Sequence, residues 1–137
     1  MSSRSAEVFF YGLFMDSELL REKGLAPQRA ELGFFEGFTL QIAQRAALVP
    51  APGSRVEGVV ASLTLAELDR LYSEPDLQAY KPQAVLVHLK RGGAVAALCY
   101  NLSDVASPTE PDSEYAAKLR AVAEKVGLPP EYVASIH

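Results

Sequence analysis

Short apolar runs separated by turn-forming residues recur along this chain, and they constrain its fold more than any other feature. Glu7 to Tyr11 is rich in aromatic and β-branched residues and ends at Gly12, the pattern of a buried strand. After Pro27 come two extended pieces, around Ala30–Phe34 and Phe38–Ala43, with Glu36 and Gly37 as the bend between them. Leu48 to Ser54 contains Pro50 and Pro52 and reads as a loop held extended by its prolines. Arg55 to Leu63 is another strand, in which Gly58 marks a bulge or a close backbone approach. Tyr80–Leu89 and Ala94–Tyr100 form a hairpin across Arg91, Gly92 and Gly93.

Helices fall between and after these runs. Asp16 caps a short one with Glu18 in its first turn, Lys23 in its last and Gly24 as its stop. Thr64-Leu65-Ala66-Glu67 is a capping box, opening a helix that reaches about Tyr72 and cannot pass Pro75. A loop from Ser103 to Pro111 leads to the longest helix, capped by Asp112 and stopped by Gly127. Tyr115, Leu119, Val122 and Val126 form its apolar stripe. Pro129 and Pro130 start a final turn through Tyr132 and Ile136. Five or six strands in hairpin-like succession, with three helices, predict one α+β domain over residues 1–137, a small mixed β-barrel or curved sheet with flanking helices.

Composition narrows the function classes. Lys and Arg number 13 against 17 Asp and Glu, a net charge of −4 without the basic footprint of a nucleic-acid binder. One cysteine, Cys99, makes no intrachain disulfide and no Cys-rich zinc site, and two histidines make a His-based metal site a poor fit. The charge-free stretch Gly92–Ser103 is too short to span a bilayer. Val8 to Met15 has the length of a signal-peptide core, but Glu7 precedes it and Asp16 follows. A cytoplasmic location is the expectation.

No phosphate-binding loop or Gly-x-Ser-x-Gly elbow is present. Cys99 and His88 would make a nucleophile and base if the hairpin set them diagonally on one face; the favoured reading is a buried thiol and a surface imidazole. Three features carry more. The Tyr11-Gly12-Leu13-Phe14-Met15 turn enters a helix and presents backbone amides to an anion. Glu74, with Leu71, Tyr72 and Leu77 nearby, reads by base rate as a solvated loop glutamate, or else as a general acid/base whose pKa an apolar pocket would raise. Tyr80 and Tyr115 have hydroxyls able to reach a partner.

Together these residues resemble the gamma-glutamylcyclotransferase-like superfamily from Val8 to about Ile136. Tyr11-Gly12-Leu13-Phe14-Met15 is similar to its N-terminal loop, and Arg55-Val56-Glu57-Gly58-Val59-Val60 to its central strand. Leu68 through Glu74, with Tyr80 beyond, resembles the segment holding its catalytic glutamate. Tyr115 and Gly127 to Tyr132 are similar to its closing helix. Leu13 stands where the family has serine, and Pro75 where it has glycine.

The resemblance implies a small α+β barrel with a cavity at one end, where the amides of Leu13 and Phe14 hold an α-carboxylate. Tyr11, Gly12, Leu13, Phe14, Tyr80 and Tyr115 would bind substrate. Glu74 would move a proton from the α-amino group to the leaving nitrogen, releasing 5-oxoproline without a cofactor or metal. The partner it implies is a small-molecule γ-glutamyl substrate; the charge balance and the lack of an apolar span argue for no nucleic acid and no membrane, and monomer and homodimer both stay open. The rival expectation is a non-catalytic small-molecule-binding module on the same fold. An amide hydrolase acting on another carbonyl compound is the third.

Overall fold

The computed structural model describes residues 4–42, 46–75, 77–102 and 113–136. Among these, five strands close into a barrel: β1 (Ser5–Phe10), β2 (Gln28–Ile42), β3 (Ala46–Thr64), β4 (Tyr80–Leu89) and β5 (Ala94–Leu102). Their order around the barrel is β1-β3-β2-β4-β5. Neighbours are antiparallel except β1 and β5, which meet in parallel at Val8 and Leu98. The helices are α1 (Ser17–Glu22), α2 (Leu65–Leu71), α3 (Ser113–Val126) and α4 (Pro130–Ala134), and a 3₁₀ turn occupies Leu13–Met15. The α+β barrel expected from the sequence is therefore the fold. None of the described helices is long and apolar enough to cross a membrane.

Two apolar clusters account for the unbroken hydrophobic run in β1. Phe9 and Tyr11 face the barrel interior with Phe35, Leu48, Val56, Val60, Val87, Ala97 and Cys99. Val8 and Phe10 face the other way, packing with Leu20, Leu68, Ala116, Leu119 and Ala123. A strand buried on both faces needs apolar residues at every position rather than at alternate ones. Phe9 and Phe35 meet edge to face, ring centroids 5.2 Å apart.

Gly58 answers to this interior. A Cβ there would lie 2.3 Å from the Phe10 carbonyl oxygen and 2.7 Å from Phe9 Cζ. The close backbone approach expected at this glycine is what the fold contains.

Several boundaries differ from the sequence expectation. The two pieces after Pro27 are one strand, β2, with a register irregularity between Glu36 and Phe38 and Gly37 at a φ of 94°. The segment expected to loop from Leu48 to Ser54 lies within β3, where Leu48, Val49 and Pro50 pair with Leu40, Thr39 and Phe38. Pro50 is tolerated because it sits beside that register shift, where the ladder is already interrupted.

In α3 the deepest stripe runs through Ala116, Leu119 and Ala123, while Tyr115, Val122 and Val126 are half-buried at its edge. Small alanines bring the helix close to the barrel. The expected loop from Ser103 to Pro111 and the Asp112 cap lie outside the described residues.

Register also decides the Cys99 and His88 question. Cys99 pairs with Gln83 and His88 with Ala94, so the two side chains leave opposite faces of the sheet. Cys99 is fully buried, and burial pushes its thiol up to about 12. His88 stacks on Phe34. The favoured reading, a buried thiol away from the imidazole, is the one observed.

Candidate functional site

At one end of the barrel the chain leaves β1 through Tyr11 and Gly12 into the 3₁₀ turn, then enters α1. Asp16 caps α1 by accepting from the Glu18 amide at 3.0 Å. Its other oxygen receives Lys125 Nζ at 3.1 Å, which ties α1 to α3. Gly12 is required by a neighbour: a Cβ there would be 3.3 Å from the Tyr115 hydroxyl. The Leu13 amide lies beside that hydroxyl.

On the opposite wall, α2 is closed at its start by the reciprocal capping box expected at Thr64 and Glu67. Its C-terminal connection carries Glu74 and is folded by two tight turns. The Glu74 carbonyl accepts from Leu77 N–H at 2.9 Å, and the Leu77 carbonyl from Tyr80 N–H at 3.0 Å.

Between these walls lies a cavity of about 610 Å³. All seven residues singled out from the sequence border it: Tyr11, Gly12, Leu13, Phe14, Glu74, Tyr80 and Tyr115. The volume suits a small molecule, and most of the wall is aromatic or aliphatic.

The roles available to these side chains differ. Tyr11 is buried and donates its hydroxyl to the Tyr100 carbonyl at 2.9 Å, tying the loop to β5. Tyr80 donates to the Ala46 carbonyl at 2.6 Å, holding the start of β3. Asn101 completes that anchor, accepting from Leu48 N–H and donating to the Leu48 carbonyl, both at 2.9 Å. Burial pushes the phenols of Tyr11, Tyr72 and Tyr115 above their ordinary values, so they stay protonated. In Tyr115 the Leu13 amide works against that rise.

Glu74 combines its two readings, lining the cavity while keeping a partly solvated side chain. Its side chain is 38% exposed rather than sunk in an apolar pocket, and Lys23 Nζ lies 2.7 and 3.0 Å from its two oxygens. The apolar neighbours expected from the sequence are present in Tyr72 and Leu77, but an ammonium from α1 sits opposite them. The turn lines the same cavity, with the Leu13 amide beside the Tyr115 hydroxyl.

Sequence reasoning placed Lys23 only as the last residue of a helix and missed its place in the cavity. It also missed Tyr100, which stacks on Tyr72 with ring centroids 3.7 Å apart and planes 5° from parallel, and the Asn101 anchor behind it. Only the closed barrel brings these together. Lys23 and Glu74 are the ionic groups among the described lining residues. No three His, Cys, Asp or Glu side chains among the described residues converge to hold a metal ion.

The sequence model of the AIG2-like family matches residues 55–136. This chain belongs to the AIG2-like family. The matched region contains Glu74, Tyr80 and Tyr115 and begins after the Tyr11–Phe14 loop.

Solved structures extend the likeness of this AIG2-like protein across the N-terminal half. A gamma-glutamyl cyclotransferase superposes with a TM-score of 0.81 at 21% identity, covering 98% of this chain and 89% of the other. An uncharacterised Homo sapiens protein gives 0.80 at 22% identity, with the same 98% and 89% coverage. An AIG2-like protein from Mus musculus gives 0.59 at 22% identity, covering 81% of this chain and 90% of its own. At such identities the likeness is one of fold, and the fold is gamma-glutamylcyclotransferase-like. No curated protein sequence matches the chain.

Proposed function

We propose that this AIG2-like protein cyclises a γ-glutamyl amine or peptide to 5-oxoproline and a free amine, with Glu74 as general acid/base. The observation that carries this reading is that Glu74 supplies the carboxylate among the described residues of a largely apolar cavity, which the turn after β1 also lines. The α-amino nitrogen attacks the γ-carbonyl carbon of the same molecule, forming a five-membered lactam. The bond from that carbon to the leaving nitrogen breaks. Glu74 accepts the proton lost by the attacking nitrogen and returns it to the leaving one, so no cofactor or external reductant enters. Holding a flexible chain in the folded-back conformation supplies much of the rate by proximity. The proton shuttle supplies the rest.

The test is to incubate the purified protein with a panel of γ-glutamyl amines and dipeptides and to assay 5-oxoproline. Release from one member with turnover supports the reading. Silence across the panel, with saturable binding of 5-oxoproline or glutamate, overturns it in favour of a binding module. The contact of Lys23 with Glu74 favours that second reading, because it engages the carboxylate the reaction needs.

A further inference from the structure

The Lys23–Glu74 pair lines the cavity at its solvent-exposed edge. Lys23 is the C-cap of α1, its backbone N–H bonded to the carbonyls of Leu19 and Leu20, so its Cα is fixed while its side chain remains 37% exposed and free to swing. Nζ lies within 3.0 Å of both Glu74 oxygens and 5.9 Å from the centre of the Phe14 ring. It therefore stands between the acid/base candidate and the turn of Leu13 and Phe14.

An α-amino acid head carries an ammonium and a carboxylate on one carbon, about as far apart as the charges of this ion pair. Inserted between Lys23 and Glu74, it converts one ion pair into a ring of four alternating charges.

Building on the proposed cyclisation, we infer that Lys23 is a specificity residue that binds the substrate's α-carboxylate. On binding, its ammonium leaves Glu74 for that carboxylate, and the α-amino group takes its place against Glu74. The cavity thereby selects γ-glutamyl compounds whose α-carboxylate is free over those in which it is esterified. The contact seen without ligand is the resting position of the same two charges. It shields Glu74 until a zwitterion arrives.

Lys23→Met keeps most of the stem and removes the charge, and Lys23→Arg restores a cation. Each is compared with wild type on γ-glutamyl-4-nitroanilide and on its α-methyl ester. Wild type should favour the free acid by about tenfold or more in kcat/KM, the worth of one charge-assisted hydrogen bond. Lys23→Met should erase that preference by raising KM on the acid until acid and ester react alike, and Lys23→Arg should recover most of it. A Lys23→Met protein that keeps the wild-type preference overturns the assignment.

Binding separates this inference from the cyclisation reading. Calorimetric titration of wild type and Lys23→Met with L-glutamine and L-glutamine methyl ester needs no turnover. A wild type that makes no 5-oxoproline yet binds glutamine over its ester, a preference lost in Lys23→Met, overturns cyclisation and supports Lys23. Equal binding of the two ligands by wild type, or binding of neither, overturns Lys23 itself.

Discussion

At Glu74 the side chain opposite governs what a substitution does. Glu74→Gln keeps the volume and a hydrogen-bonding oxygen but cannot accept a proton at neutral pH. Release of 5-oxoproline should fall by at least ~10²–10⁴-fold, since the same group serves both transfers. An apolar pocket would make this variant more stable than wild type. The observed pairing with Lys23 reverses that expectation. Both partners are more than a third exposed, so the pair contributes about 0–1 kcal/mol, and Glu74→Gln should melt at the wild-type temperature or slightly below it. A fully active Glu74→Gln enzyme would remove this residue from the mechanism, and a raised melting temperature would contradict the ion pair.

Among the elements, α2 and β3 make separable predictions. Glu67 closes the capping box with Oε1 on the Thr64 amide at 2.8 Å and reaches the Ala26 amide with Oε2 at 2.6 Å. One carboxylate thus fastens α2 to the segment after α1. Burial alone would raise its pKa, but these amides and the Thr64 hydroxyl outweigh it and hold the group below its ordinary value. A carboxyl depressed in the folded state binds protons more readily when unfolded. Its stabilisation is therefore present above an unfolded pKa of about 4.3 and fades as pH falls through the folded value. Glu67→Gln, which loses one acceptor, should cost about 1 kcal/mol at pH 7. Melting curves should show that gap closing in acid; a gap independent of pH would mean the charge contributes nothing. In β3, Gly58→Ala forces a methyl against the Phe10 carbonyl and the Phe9 ring. It should cost ~1–3 kcal/mol or more in denaturant unfolding, and a neutral result would show that the barrel wall can part.

For the whole molecule, closure of the barrel is the property to test. The seam between β2 and β4 is short, Gly33 to Leu89 and Phe34 to His88, and β1 meets β5 in register at Val8 and Leu98. Cys99 faces the interior behind these seams, fully buried, with burial pushing its thiol up to about 12. Its reaction with a disulfide reagent at pH 8 should be negligible in the native protein and rise only with global unfolding in denaturant. Reaction at a rate independent of global stability would show a local opening of the barrel, most directly along the β2–β4 seam.

Much of this architecture was legible along the chain because its causes are local. Asp16, Thr64 with Glu67, Gly24 and Gly127 end or begin helices through hydrogen bonds and dihedral angles within a few residues, and the alternation of strand and turn residues carries the α+β class. The residues bordering the cavity were nameable through resemblance, since Tyr11 to Phe14, Glu74, Tyr80 and Tyr115 sit in recognisable segments. What surrounds them was not. Whether Glu74 meets an aliphatic wall or an ammonium depends on where α1 lies against the connection after α2, and Lys23 is far away in sequence. The place of Tyr115 beside Gly12, the pairing of Leu48 to Pro50 within a strand, and the opposite faces of Cys99 and His88 follow from register and closure. These are long-range packing choices that a one-residue shift would undo. Local chemistry determined the elements; the tertiary structure alone decided which charges meet.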